Sequence, residues 1–412
     1  MIKPFSKNKI TNLYLFILCF FGISILLPEN IRNINLFLFL ALSIVLIFQK
    51  PHSRTDALKP LFINASLFFV LALSLSYTKD LDLGFKRLMV MAAFPIFSIG
   101  FYLVNSRYDI DHKKTLEKFY FVFYIATVLF FIGVFIQNIF NDHINEFIFR
   151  DYSERINSKY GKYSMHPIYA SLYISIALII STQLPRLIAS KFKKVLLYIS
   201  ILFLVIILVV LARKGVIVVL SLLFTYYFLR TKRKRSIIIF FLLVLILFAF
   251  SYLIEPIRNR YLEFVNAFFS PETSFLGSTS YRLNIYECSI GKIFESPLFG
   301  YGVGDTKAVL TSCYEEKATI FNGLYFNSHN QFLSVWLASG VFGLIALIYT
   351  LFFNFKRAIQ RTNFIYFSVL ILFLVTLLTE NILERQNGVL LFSFFINLFA
   401  FTSLKENPKE VK

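Results

Sequence analysis

Three residues of this chain combine a type and a placement suited to chemistry on an anionic substrate: Arg213, Arg282 and His329. A guanidinium grips a phosphate through two parallel hydrogen bonds, and an imidazole can take a proton near neutral pH. His329 stands in Ser328-His329-Asn330-Gln331. Ser328 and Gln331 have the spacing of a capping box, which would put His329 at the first helical position. The positive end of the helix dipole there would favour the neutral, proton-accepting ring. A second tier consists of Lys214 beside Arg213, His166 before Pro167, Asn330, and Glu380. Each has an ordinary explanation as well. An arginine at a membrane edge snorkels to lipid phosphate, a histidine at a helix start caps it, and Glu380 could simply pair with Arg385. An acid at membrane depth is nonetheless a functional candidate.

The elements that must position these residues follow from composition. Of 412 residues, 57% are hydrophobic, 16% are charged and 52 are Phe, against about a quarter charged in a soluble domain. Crossing a hydrocarbon core takes about 20 apolar residues per helix. Such runs recur near 12–27, 31–48, 61–77, 87–105, 117–139, 166–184, 194–211, 215–230, 236–254, 331–353, 364–380 and 387–403. The expected fold is therefore an all-α polytopic membrane protein of about 12 transmembrane helices, without internal repeats. The first run follows Lys3, Lys7 and Lys9 but ends without a small-residue cleavage site, so it reads as a retained helix.

Lys and Arg are held preferentially on the cytoplasmic side. With both termini inside, most of the 42 Lys and Arg fall on inner segments. The net charge of +19 is partly this bias and partly available to anionic ligands. The chain then divides into nine spans over 1–254, a long outer loop over 255–330 containing short helices, and three spans with a cytoplasmic tail over 331–412. A smaller outer loop covers 140–165. The basic clusters 186–194 and 230–235 both fall inside, which requires a helical hairpin turning outside at Ala212-Arg213-Lys214-Gly215.

Loops of more than about 15 residues are usually functional or disordered, and the long one mixes aromatic, Gly and Arg residues. Residues 280–294 have an amphipathic period that puts Leu283, Tyr286, Ile290 and Ile293 on one face and Arg282 in the first turn. The turn Ser296-Pro297-Leu298-Phe299-Gly300-Tyr301-Gly302-Val303-Gly304 follows. It lacks the strand and helix of a dinucleotide site, but its backbone could approach a ligand or offer N–H groups to an anion. Cys288 and Cys313 share the loop, where a disulfide is possible in an oxidising compartment. Asp305, Glu315 and Glu316 are too scattered to read as a metal site.

In combination, Arg282, the Gly-rich turn and the Ser328-His329-Asn330 segment, set in a bundle of about twelve spans, resemble the O-antigen ligase and O-antigen polymerase family of bacterial envelope polysaccharide glycosyltransferases. The likeness is firmest from about 194 to 350, where Leu211-Ala212-Arg213-Lys214-Gly215 matches an arginine at the outer end of an earlier span. Many members carry a Trp shortly after the loop arginine; here Tyr286 is the nearest aromatic and Trp336 the only Trp. The resemblance implies a multi-pass protein of the inner membrane, working in lipopolysaccharide biosynthesis without a cofactor. It would move a glycan from undecaprenyl diphosphate to an acceptor hydroxyl at the periplasmic face, with inversion and without a metal. A ligase would use the lipid A core as acceptor, a polymerase a carrier-linked repeat unit. Arg213 and Arg282 would hold the diphosphate and His329 would act as base. The partners are then glycan donor, glycan acceptor and membrane lipids, with no nucleic acid. A transporter or lipid-linked-sugar flippase fits the span number but not the gathering of polar residues at one rim.

Overall fold

The computed structural model describes residues 7–49, 58–141, 165–211, 213–231, 278–317 and 325–402, with isolated positions at 249, 252, 258, 262, 321 and 323. Two sequence expectations, the span at 236–254 and the outer loop at 140–165, fall almost entirely outside them. The described residues form helices and turns only. The chain runs through α1 (Lys7–Ser24), α2 (Glu29–Ile47), α3 (Leu58–Leu73), α4 (Leu81–Met91), α5 (Ala93–Arg107), α6 (His112–Asn141) and α7 (Pro167–Ser181). It continues through α8 (Lys191–Val210), α9 (Lys214–Arg230), α10 (Ser278–Glu295), α11 (Thr306–Glu316), α12 (Gln331–Gln360), α13 (Phe364–Thr379) and α14 (Gln386–Thr402).

Six helical segments are long and apolar enough to cross a membrane: Glu29–Ile47, Leu58–Tyr77, Leu81–Arg107, His112–Ile136, Lys191–Val210 and Gln331–Gln360. Shorter apolar helices include Pro167–Ser181, Phe364–Thr379 and Gln386–Thr402. This is a multi-pass membrane protein. Many of its phenylalanines are internal. Phe21, Phe39, Phe97, Phe101, Phe119 and Phe394 lie within the core of the bundle, and Phe21 stacks on Phe394 with ring centroids 3.5 Å apart. Other apolar side chains, such as Phe37, Phe62, Phe192 and Leu222, are exposed on the outside of the helices. That is the surface a bilayer would cover.

The Gly-rich turn is where the outer segment joins this bundle. Helix α12 is broken at Ser339 and Gly340 (φ 63°), so its hydrogen-bond ladder opens there. Serine-glycine pairs are common sites of such kinks. Freed backbone groups in a membrane helix must find other partners. The turn supplies them: Tyr301 N–H donates to Leu337 O at 2.8 Å, Gly302 N–H to Ala338 O at 2.9 Å, and Val341 N–H to Pro297 O at 3.0 Å. Gly300 and Gly302 hold φ of 69° and 98°. A Cβ at Gly300 would stand 2.5 Å from Leu337 O, and one at Gly340 would stand 1.9 Å from Leu298 O. The backbone that could have faced a ligand is packed on α12 instead. Trp336 Nε1–H donates to Pro297 O at 2.9 Å, and Asp305 accepts from Lys79 N–H and Asp80 N–H at 2.7 and 2.9 Å, clamping the turn on both sides.

Cys288 and Cys313 are bonded, with sulfurs 2.02 Å apart, and join α10 to α11. This reorients α10 relative to the periodicity. Its buried face is Ile285, Cys288, Ser289 and Ile293, packed with Tyr314 and Phe321, whereas Leu283 and Ile290 are exposed. The helix also begins at Ser278, so Arg282 sits one turn further in than its sequence suggests.

Candidate active site at one end of the bundle

Four connections meet at this end of the bundle: the turn before α9, the segment before α7, the approach to α12, and the link between α13 and α14. Each delivers a polar or charged side chain just outside the end of an apolar helix. Glu380 caps the C-terminal end of α13 and stands at the centre. Arg282 Nη2–H donates to Glu380 Oε1 at 2.9 Å, and His329 Nδ1 lies 3.2 Å from Glu380 Oε2. A carboxylate can only accept, so Nδ1 carries the hydrogen and Nε2 is left as the free basic atom.

His329 does not begin a helix. Asn330 caps α12, its Oδ1 accepting from the N–H groups of Phe332 and Leu333 at 2.9 and 3.2 Å. The Ser328 hydroxyl is engaged with Asn381, and the Gln331 side chain accepts from Leu383 N–H at 2.8 Å. The expected capping box is thus absent, and with it the argument from the helix dipole. His329 lies just before the cap in the left-handed region at φ 43°, a conformation uncommon outside glycine and often found at functional sites. Its own N–H donates to Asn327 Oδ1 at 3.2 Å, and its carbonyl accepts from the Tyr286 hydroxyl at 3.4 Å. The Asn330 side-chain amide donates to Leu378 O at 3.2 Å, so this residue holds the segment in place.

Arg213 is the residue before α9, and its charge reaches both Glu380 and His166. Lys214 opens α9 next to it. His166 caps α7 just outside the helix, its Nδ1 accepting from Ile168 N–H at 3.4 Å. Burial, then the charges of Arg213 and Arg385, pushes the His166 imidazole down to about 4, so it stays neutral. Glu380 feels opposing forces: burial works to raise it, but the His329 hydrogen bond and the charges of Arg282, His329 and Arg213 hold it below the ordinary carboxylate range.

These connections, with α10, thus bring Arg213, Arg282, His329, His166 and Glu380 into one cluster, and Arg385 joins them. Arg385 entered the sequence reading only as a partner for Glu380, a place that Arg282 occupies instead. Glu384 went unremarked; its carboxylate accepts from Ser334 Oγ at 2.6 Å and Asn381 Nδ2 at 2.7 Å. The signal that could have found both is Glu380-x-x-x-Glu384-Arg385, three charges beside an apolar span. Among the described residues no three His, Cys, Asp or Glu side chains converge in a metal-holding group.

Residues 197–348, which include Arg213, Arg282 and His329, match the model of the O-antigen ligase family. This segment belongs to the O-antigen ligase family. The match runs from α8 through the Gly-rich turn to the kinked α12, so the matched segment carries Arg213, Arg282 and His329, while His166, Glu380 and Arg385 lie outside it. The match covers less than half of the chain. No curated protein matches the chain.

Proposed function

We propose that the chain transfers a glycan from an undecaprenyl-diphosphate carrier to an acceptor hydroxyl at the periplasmic face of the inner membrane, as an O-antigen ligase acting on the lipid A core. The observation that carries this reading is the chain of contacts from Arg282 through Glu380 to His329. In the transfer, the acceptor oxygen forms a bond to the anomeric carbon as the bond to the diphosphate breaks. The hydroxyl proton goes to His329 Nε2, and the electron pair leaves with the diphosphate. A single displacement of this kind inverts the anomeric centre. Glu380 fixes the ring through Nδ1 and balances the imidazolium that forms, as a carboxylate does behind a catalytic histidine. Arg282 spends one donor on Glu380, and a guanidinium has five. The remainder, with Arg213, would neutralise the leaving diphosphate. Lys214 and Arg385 would add positive charge, and neutral His166 would donate or accept a hydrogen bond without opposing it. Because the guanidiniums supply the charge, the reaction would need no divalent ion.

The same reading threads the bundle twelve times with both ends in the cytoplasm and assigns the ninth crossing to 236–254. The loop 255–330 would be periplasmic and catalytic. Every connection that this threading puts outside and that the structure describes lies at the end of the bundle that holds the cluster, which supports it.

The test uses the full-length protein in nanodiscs with carrier-linked glycan and lipid A core. Transfer is expected, unaffected by a chelator, and abolished in His329→Ala and Arg282→Ala. In cells lacking the protein, carrier-linked polymer would accumulate and the lipid would lack long glycan. Accumulation of single repeat units would make it a polymerase instead. Vesicle transport with no new glycosidic bond would overturn the enzymatic reading.

A further inference from the structure

Beside the charged cluster, and lined by none of Arg213, Arg282, His329 or Glu380, is a cavity of about 170 Å³. Tyr325, Asn327, Ser334, Glu384, Arg87 and Lys307 contribute its working surface. We infer that it binds one pyranose ring of the acceptor glycan; this rests on the transfer reaction proposed above.

Size sets the class of occupant. Sites for drug-sized ligands hold about 300–1,000 Å³, so this cavity suits a single ring and not an oligosaccharide or a lipid chain. Its polar groups suit a ring of hydroxyls. The Glu384 carboxylate takes bonds from Ser334, Asn381 and, at 3.4 Å, Asn327. A carboxylate has roughly four acceptor positions, which leaves capacity for a sugar hydroxyl. Asn327 offers both an amide donor and an amide acceptor. Arg87 is held rigidly, its Nη1–H donating to Val303 O at 2.8 Å and also to Thr306 Oγ1. The unbonded face of a pyranose is apolar C–H surface, and Tyr325, 56% exposed at the rim, provides a flat apolar partner with a polar tip. Arg87 and Lys307 together outweigh Glu384, so a sugar bearing a carboxylate or phosphate is favoured over a neutral one.

Position assigns the cavity to the acceptor. The segment 325–329 is its wall: Tyr325, Asn327 and Ser328 face the cavity, while His329 is turned to Glu380. Phe326 belongs to both sides, lining the cavity with its ring centroid 6.1 Å from that of His329. Of the arginines proposed to hold the leaving diphosphate, Arg282 is bonded to Glu380 and Arg213 acts on it through its charge. An acceptor oxygen must approach the anomeric carbon from the face opposite the leaving group, with the base between, and a ring seated in the cavity comes from that direction.

Saturation-transfer NMR on the full-length protein in nanodiscs tests this with methyl glycosides of glucose, N-acetylglucosamine and galacturonic acid as probes. Saturation is expected on the ring protons of at least one probe, strongest for the galacturonide. It should fall at least fivefold in Tyr325→Ala and be retained in Tyr325→Phe. His329→Ala should leave it unchanged, because binding needs no catalysis. Absence of signal from all three probes on the wild type, or a signal that survives Tyr325→Ala, overturns the subsite. A wild type that binds the probes yet transfers no glycan refutes the reaction and leaves the cavity a sugar site. In an active enzyme, Tyr325→Ala should raise KM for the acceptor about tenfold and leave KM for the donor in place; the reverse pattern would also overturn the assignment.

Discussion

Two polar clusters occupy opposite parts of the bundle, and they are built on opposite rules. Deep among the helices, Asn64 Nδ2 donates to Asn397 Oδ1 at 3.0 Å, Asn354 Nδ2 to Asn64 Oδ1 at 2.8 Å, and Ser98 Oγ to Asn397 Oδ1 at 3.1 Å. Tyr366 completes the chain through Asn354, and Thr350 bonds Ile63 O at 3.0 Å. Every member is neutral, and α3, α5, α12, α13 and α14 are stitched together without a charge. At the other end of α12, one central carboxylate serves Arg282 and His329 while Arg213 and Arg385 crowd in. A membrane protein pays heavily for charge within its helices. A neutral network that satisfies itself reads as structure, whereas a cationic cluster at a helix end has capacity left over for an anionic ligand.

The sharpest way to break this contrast is to remove one member of the charged cluster. His329→Ala should cut kcat on the order of 10³-fold, within the range of a lost general base, with the protein still folded and inserted. A purified variant that keeps wild-type turnover in the nanodisc assay would reduce the cluster to a structural feature like the asparagine network.

Glu380→Gln comes next. The amide can still touch either neighbour but carries no charge to balance an imidazolium or to hold Arg282. We expect kcat to fall on the order of 10²-fold, with KM for the acceptor nearly unchanged, the signature of a contribution made in the transition state. An equal rise in KM with kcat preserved would mean that Glu380 serves only to place Arg282 for binding.

How much of this was legible in the residues differs between the clusters as well. Arg213, Arg282, His166, His329 and Glu380 could be brought to one end by threading alone, because apolar run lengths and the distribution of Lys and Arg determine which connections share a side. The local geometry could not. Ser328 and Asn330 are both good caps, and Asn330 wins because the Ser328 hydroxyl is taken by Asn381, 53 residues away. The buried face of α10 depends on the Cys288–Cys313 bond and on Phe321. The glycine turn looked ready for a ligand until the break in α12 supplied its partner. In each case the local pattern was compatible with two outcomes, and a contact remote in sequence decided between them. The asparagine network left no trace at all, since single Asn residues in separate apolar runs carry no common period.

That network supplies the third test. Asn397 accepts from Asn64 and Ser98 and donates to Ser393 O at 2.8 Å. Interhelical hydrogen bonds in membranes average about 0.6 kcal/mol, so Asn397→Ala should destabilise by about 1–2 kcal/mol in thermal unfolding. Turnover of the folded fraction should stay within twofold. A large loss of kcat without loss of stability would show that the two clusters communicate.

The smallest effect expected is a pH dependence that separates His166 from its charged neighbours. Its imidazole is held near 4 by burial and by the charges of Arg213 and Arg385, against about 6.5 in an unfolded chain. Above pH 6.5 the ring is neutral in both states and contributes no slope. Between about 6.5 and 4 the unfolded chain binds a proton that the folded one refuses, so stability should decline as pH falls through that window. Glu380 works in the same direction at lower pH, since a carboxylate held below its ordinary range contributes stability that is lost only as the folded group takes up its proton. From pH 7.5 to 6 the His166 contribution should therefore be about 1 kcal/mol or less, and His166→Gln should flatten that part of the melting curve while leaving the decline below pH 4 in place. An unchanged slope in the variant would mean that the ring titrates alike in the folded and unfolded chain, and a steeper decline in the variant would mean that the folded ring is held protonated against Glu380. His166 would then count among the cations of the site instead of as the neutral hydrogen-bonding group beside them.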